Sequence, residues 1–217
     1  KMKKNSELTY KEMYQQPASF QAVNDTLDDI FKTLDKVFFG EKKYDELIFT
    51  GCGTSLYLAQ ASAAAFSTYT GIPAKGVPCS ELYYFPETYV KEGRNVLILP
   101  ITRKSYTTEV RMAIDKVHTY PQVTTLAITC DKDSEKYNDY YILSPDTDED
   151  SVIMTRSFTS MLYMAVIMAM YVGGKKDEIA AMKDYAPYSE KVLKEMDELS
   201  KKIMNEHKNL NLFIILG

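Results

Sequence analysis

The chain reads as an α/β protein in which parallel strands are joined by crossover helices. From Asp45 onward, short apolar runs alternate with segments of helical periodicity. One of these runs, Ile48-Phe49-Thr50, stops at Gly51-Cys52-Gly53-Thr54-Ser55 and passes at once into a helix-forming segment. With 217 residues, 45% hydrophobic and 26% charged, the chain suits one domain with a full core plus accessory helices.

Residues 1–43 read as an N-terminal helical arm. Residues 10–15 predict a short helix, and Pro17, at a first-turn position, opens a longer one carrying Phe20, Val23, Leu27, Ile30, Phe31 and Leu34. Residues 44–207 hold the alternating domain: strand 47–50 and helix 56–69, strand 74–77 and helix 80–85, strand 96–102 and helix 107–117. Strand 123–129, a short strand 140–143, an apolar helix 157–172 and a charged helix 188–207 complete it. The last run, 211–217, reads as another strand reaching a glycine, so residues 208–217 are expected to begin a second, truncated lobe. Helix 157–172 is apolar on nearly every face, which suits either a buried core helix or an association surface.

The net charge of -4, with no basic block, gives no electrostatic footprint for nucleic acid. An anionic ligand must then be held by local donors rather than by a global positive field. Cys52, Cys79 and Cys130 are odd in number and widely spaced, and read as reduced, small, buried residues. With His118 and His207 they make neither a disulfide framework nor a zinc site. The start of the chain is polar and reads as an amphipathic segment, so no secretory leader is expected. The longest apolar run, 161–172, is shorter than the roughly 20 residues that span a bilayer. A cytoplasmic protein without a membrane partner is expected.

In a parallel sheet the carboxyl ends of the strands open onto a crevice where ligands bind. Three turns should meet there: 51–55, 102–107 and 148–159. In the first, Gly-x-Gly permits close backbone approach, while Thr54 and Ser55 set hydroxyls beside N–H groups at a helix N-terminus, where the dipole favours an anion. In the second, Thr107 suits an N-cap and Thr102 can turn a hydroxyl into the crevice. Arg103 or Lys104 can neutralise a phosphate dianion, the arginine bidentately and the lysine as a point charge. The third segment carries Asp148, Glu149 and Asp150 ahead of the apolar helix. Counted from Asp146 it lacks the sixth-position glycine and twelfth-position glutamate of an EF-hand loop, which leaves a solvated loop. Glu149 is the candidate general acid or base, provided it folds into the crevice.

Together, Gly51-Cys52-Gly53-Thr54-Ser55, the hydroxyl-rich second turn ending Thr107-Thr108-Glu109, and Glu149 with Met154-Thr155-Arg156-Ser157-Phe158-Thr159 resemble the three signatures of the sugar isomerase (SIS) domain family. The opening segment, residues 9–17, resembles the one that precedes this domain in the isomerase half of glucosamine-6-phosphate synthase and in the tagatose-6-phosphate ketose/aldose isomerase group. The second group is the closer fit, through Leu126-Ala127-Ile128-Thr129-Cys130 and the run 154–157. The resemblance implies a flavodoxin-like, three-layer αβα sandwich with a five-stranded parallel sheet. It also implies a sugar phosphate held by Thr54, Ser55, Thr102, Lys104 and Thr107, catalysis through Glu149, no cofactor or metal, and a homodimer or a pseudodimer with a second lobe.

The chain departs from the pattern in the second turn, where Lys104 stands in place of a serine and Ser105 in place of a glycine. The implied activity is aldose–ketose interconversion of a sugar phosphate, with or without removal of an amino group. The alternative is a non-catalytic lobe that senses sugar phosphate or is purely structural. A dinucleotide-binding protein is disfavoured, because Gly51 and Gly53 are followed by Leu56 rather than by the third glycine of Gly-x-Gly-x-x-Gly.

Overall fold

The computed structural model describes residues 2–145 and 147–209, together with Leu212 and Ile214. Three helices come first: α1 (Met2–Met13), α2 (Gln16–Asp25) and α3 (Leu27–Phe38). Strand and helix then alternate through β1 (Glu46–Gly51), α4 (Thr54–Thr70), β2 (Ala74–Pro78), α5 (Cys79–Tyr84), β3 (Val96–Thr102), α6 (Thr108–Val117), β4 (Val123–Thr129) and β5 (Tyr140–Leu143). The chain continues into α7 (Arg156–Val172), α8 (Lys176–Lys183) and α9 (Tyr185–Glu206).

The strands form one five-stranded parallel sheet of order β2-β1-β3-β4-β5. This is the flavodoxin-like order, and its direction reverses between β1 and β3. Residues of β1, β3 and β4 are buried throughout, whereas the edge strands β2 and β5 are only partly so. Burial on both faces is why the central strands read as unbroken apolar runs. Leu47, Phe49, Leu97, Leu99 and Ile101 face a layer built from α2, α3, α4 and α7. Ile48, Val96 and Ile98 face the opposite layer, built from α5 and α6.

The apolar helix α7 lies inside the first layer against α4, α2 and α3. Met161, Met164, Ala165, Ile167, Met168 and Ala169 are wholly buried there, so the core accounts for its all-round apolar character. Phe31 of α3 stacks on Tyr171 of α7 with ring centres 3.9 Å apart.

Three helical expectations need correction, the first being the short helix over 10–15, which instead spans Met2–Met13. The pattern opening at Pro17 is broken at Thr26, whose φ of -108° and ψ of 5° are not helical. The Thr26 hydroxyl donates to the carbonyls of Ala22 and Val23 at 3.2 and 3.0 Å, a local bond that competes with the helix ladder. The charged helix begins at Tyr185 rather than 188, since Pro187 sits in its first turn, where no N–H is required. Helix α8 was not anticipated. The strand expected over 211–217 lies outside the described residues apart from Leu212 and Ile214. Among the described residues, no helix is long and apolar enough to cross a membrane.

Candidate functional site

The turns that follow β1 and β3 meet at the switch point of the sheet. With Met154 from the segment ahead of α7, they enclose a pocket of about 210 Å³. The first turn is fixed by its glycines. A Cβ on Gly51 would lie 2.5 Å from the backbone of Ser55, so only glycine lets α4 start this close to β1. Gly53 has φ +57°, a conformation that side-chain-bearing residues rarely adopt. The Ser55 and Leu56 N–H groups donate to the Cys52 and Gly53 carbonyls at 3.2 and 3.1 Å. Both N–H groups are thus satisfied within the turn, and Ser55 lines the pocket.

In the second turn the Lys104 carbonyl is the organising acceptor. The Thr102 hydroxyl donates to it at 2.7 Å and the Thr107 hydroxyl at 3.1 Å. Thr107 does occupy the N-cap position of α6, but its side chain makes no capping bond, because it is turned back to Lys104. Ser105, standing where the SIS pattern has glycine, is drawn away from the pocket. Its N–H donates to Asp131 Oδ2 at 3.0 Å, and its hydroxyl lies 2.7 Å from that of Ser134. Burial pushes the Asp131 carboxyl up, but the Ser105 and Asp133 amides outweigh it and hold the group below its usual range.

Both cations of the second turn reach the third segment. The Lys104 ammonium donates to Asp148, and this bond raises the lysine above its ordinary pKa. Arg103 Nη1 donates to the Ser151 carbonyl at 3.1 Å and lies 3.7 Å from Glu149 Oε2.

The acidic segment is a loop with Asp148 and Asp150 exposed, as expected, but Glu149 between them is turned inward. The Glu149 side chain is fully enclosed, at 0% exposure. It accepts the Thr155 N–H at 2.7 Å and the hydroxyls of Thr155 and Ser157, and so caps the N-terminus of α7. The buried Glu12 on α1 holds the same segment from the other side. Its Oε1 accepts the N–H groups of Asp150 and Ser151 at 2.7 and 3.3 Å. Burial raises the Glu12 carboxyl, yet hydrogen bonds from Ser151 and Asp150 and the charge of Arg156 leave it below its usual value. Among the described residues, no cluster of three or more His, Cys, Asp or Glu side chains is arranged to hold a metal ion.

Of the residues expected from sequence, Ser55, Thr102, Lys104 and Thr107 line one pocket. Thr54 is the exposed first residue of α4 and is not part of the lining, and neither is Glu149. Arg103, also a candidate cation, lines it too, and Cys52, Ile101, Tyr106, Val110 and Met154 complete the wall. Asp131 was also missed, although a carboxylate one residue beyond Cys130, just past the end of a central strand, belongs by topology to the crevice.

The SIS domain family model matches residues 42–171, more than half of the chain. The protein belongs to the SIS domain family. It is 21% identical over 211 residues to the isomerizing glutamine–fructose-6-phosphate aminotransferase of Aquifex aeolicus (strain VF5), covering 94% of this chain and 34% of that protein. It is 27% identical over 134 residues to D-galactosamine-6-phosphate deaminase AgaS of Escherichia coli O157:H7, covering 58% of this chain and 34% of that one. The chain thus spans about a third of the length of these relatives. The crystal structure of tagatose-6-phosphate ketose/aldose isomerase from Escherichia coli superposes with a TM-score of 0.76 at 20% identity, over 89% of this chain and 54% of that one.

Proposed function

We propose that this chain is a phosphosugar-binding SIS lobe serving a cytoplasmic sugar-phosphate isomerase or amino-sugar-phosphate deaminase/isomerase that interconverts aldose and ketose. One observation carries the reading: Ser55, Thr102, Lys104 and Thr107 line a single pocket at the β1/β3 switch point. A phosphate dianion there meets hydroxyl donors, the Lys104 ammonium, and the positive end of α4. To receive it, Lys104 exchanges Asp148 for a phosphate oxygen, and the Thr102 and Thr107 hydroxyls rotate away from the Lys104 carbonyl.

Moving a proton between neighbouring sugar carbons needs an acid and a base within hydrogen-bond reach of the substrate. Glu149 is engaged in capping α7, and the pocket lining contains neither carboxylate nor imidazole. In this reading the reacting groups come from a second lobe or a second copy of the chain, in a pseudodimer or homodimer, and Glu149 positions the third segment.

A different observation favours a non-catalytic lobe that senses sugar phosphate or is structural. The Ser105 N–H, a donor of the second turn, is already satisfied by Asp131. The readings separate on incubation with tagatose, galactosamine and glucosamine 6-phosphates, followed by proton NMR and an ammonium assay. Conversion supports the enzyme, binding without conversion supports the sensor, and the absence of both contradicts the phosphosugar assignment.

A further inference from the structure

We propose that Cys52 and Cys79 form a reversible disulfide when a peroxide is present, which makes the first turn of the pocket a site of thiol oxidation. Strand register carries the inference. β1 and β2 are neighbours, and Gly51 of one is paired with Pro78 of the other. Cys52 and Cys79 are the residues that immediately follow these two strand ends, Cys79 opening α5. Neighbouring strands lie about 4.8 Å apart, within the roughly 4.4–6.8 Å between Cα atoms that a disulfide requires.

The side chains also share a side of the sheet. Cys79 is buried in the apolar cluster with Ile48 and Leu82, and Cys52 packs against that cluster. The two thiols are close enough for each to shift the other's titration. Thr50 steadies the arrangement, its hydroxyl 2.9 Å from the Val77 carbonyl and 3.4 Å from Cys79 Sγ. Cys130 follows β4, which β3 separates from β1, and its sulfur accepts from Thr147 at 3.1 Å. The register therefore selects one pair out of three free thiols.

Access differs between the partners in a way that orders the chemistry. Cys52 lines the pocket, whereas Cys79 is only 1% exposed. Burial raises both thiols, Cys79 to about 12, so each is a slow nucleophile near neutrality and the pair stays reduced without a strong oxidant. Cys52 attacks hydrogen peroxide, breaking the O–O bond and forming a sulfenic acid with release of water. The Cys79 sulfur then attacks the sulfenic sulfur, the S–O bond breaks, and the hydroxyl leaves as a second water with the thiol proton. A small dithiol reverses the change by exchange. Cys52 is itself part of the lining, so linkage at its sulfur alters the pocket wall. That last consequence rests on the proposed function, but the disulfide does not.

The test is peroxide treatment of the full chain, followed by alkylation, digestion and mass spectrometry. A Cys52–Cys79 linked peptide, an intact mass lower by about 2 Da, an alkylated Cys130 and reversal by dithiothreitol are expected. Cys52→Ala and Cys79→Ala should each abolish the linkage, and Cys130→Ala should leave it. Over-oxidation of Cys52 beside an alkylated Cys79, linkage between two chains, or no change at all would overturn the proposal. Calorimetry with a hexose 6-phosphate reads the pocket separately: weaker binding by the oxidised form supports the coupling, and unchanged affinity overturns the coupling alone. A reduced protein that binds no sugar phosphate counts against the phosphosugar reading and leaves the disulfide result intact.

Discussion

Lys104 and Asp148 pair across the rim of the pocket, the first from the turn after β3 and the second from the segment ahead of α7. The lysine that would meet a phosphate is thus already facing a carboxylate. Asp148→Asn removes the competitor, and because a half-exposed pair of this kind is worth about 0.2–1 kcal/mol, affinity for a hexose 6-phosphate should rise by up to about fivefold. Calorimetric titration measures it. Weaker binding in the variant would mean that Asp148 holds Lys104 ready for the ligand.

Lys104 itself stands where the SIS pattern has serine, and restoring that serine is informative. If the ammonium contacts the phosphate, Lys104→Ser loses a charge-assisted hydrogen bond worth about 1.5–3 kcal/mol, and binding weakens about tenfold or more. Tighter binding would identify the lysine as a plug in the pocket.

Glu149 caps α7 and sits beside Arg103. Glu149→Ala should lower stability by about 2 kcal/mol or more, through the lost cap and an Arg103 left without its enclosed partner. The midpoint of urea unfolding reports this. A variant as stable as the parent contradicts the capping role and returns Glu149 to the list of reacting groups.

Glu12 gives the fold an acid-sensitive contact. Its folded pKa lies below the usual 4.5, so the ionised form is the one the fold favours. The stability it contributes is complete above about pH 4.5 and is lost as pH falls through the lower, folded value. Stability of the parent should therefore decline more steeply below that pH than stability of Glu12→Gln. Hydrogen exchange at the Asp150 and Ser151 amides should also be faster in the variant. Equal acid limbs would show that Glu12 titrates alike in both states.

The sheet was legible because β1, β3 and β4 are buried on both faces and so appear as unbroken apolar runs. The pocket was legible because glycines at 51 and 53 and hydroxyls at 55, 102 and 107 mark strand-to-helix turns. What escaped depends on long-range partners. Nothing local to Thr102 and Thr107 says that both donate to the Lys104 carbonyl, or that Ser105 is tied to Asp131. Glu149 reads as one of three acids in a polar loop until Thr155 and Ser157 fold back onto it. The break at Thr26 was hidden by apolar spacing that continues through it.

The most direct measurement of the central claim is calorimetry of the parent chain and of Ser55→Ala with tagatose, galactosamine and glucosamine 6-phosphates, each beside its unphosphorylated sugar. The account predicts saturable binding of at least one phosphorylated sugar, none of its unphosphorylated counterpart, and a weaker interaction in Ser55→Ala. Binding that ignores both the phosphate and Ser55, or no binding by the parent to any of the three, would contradict it.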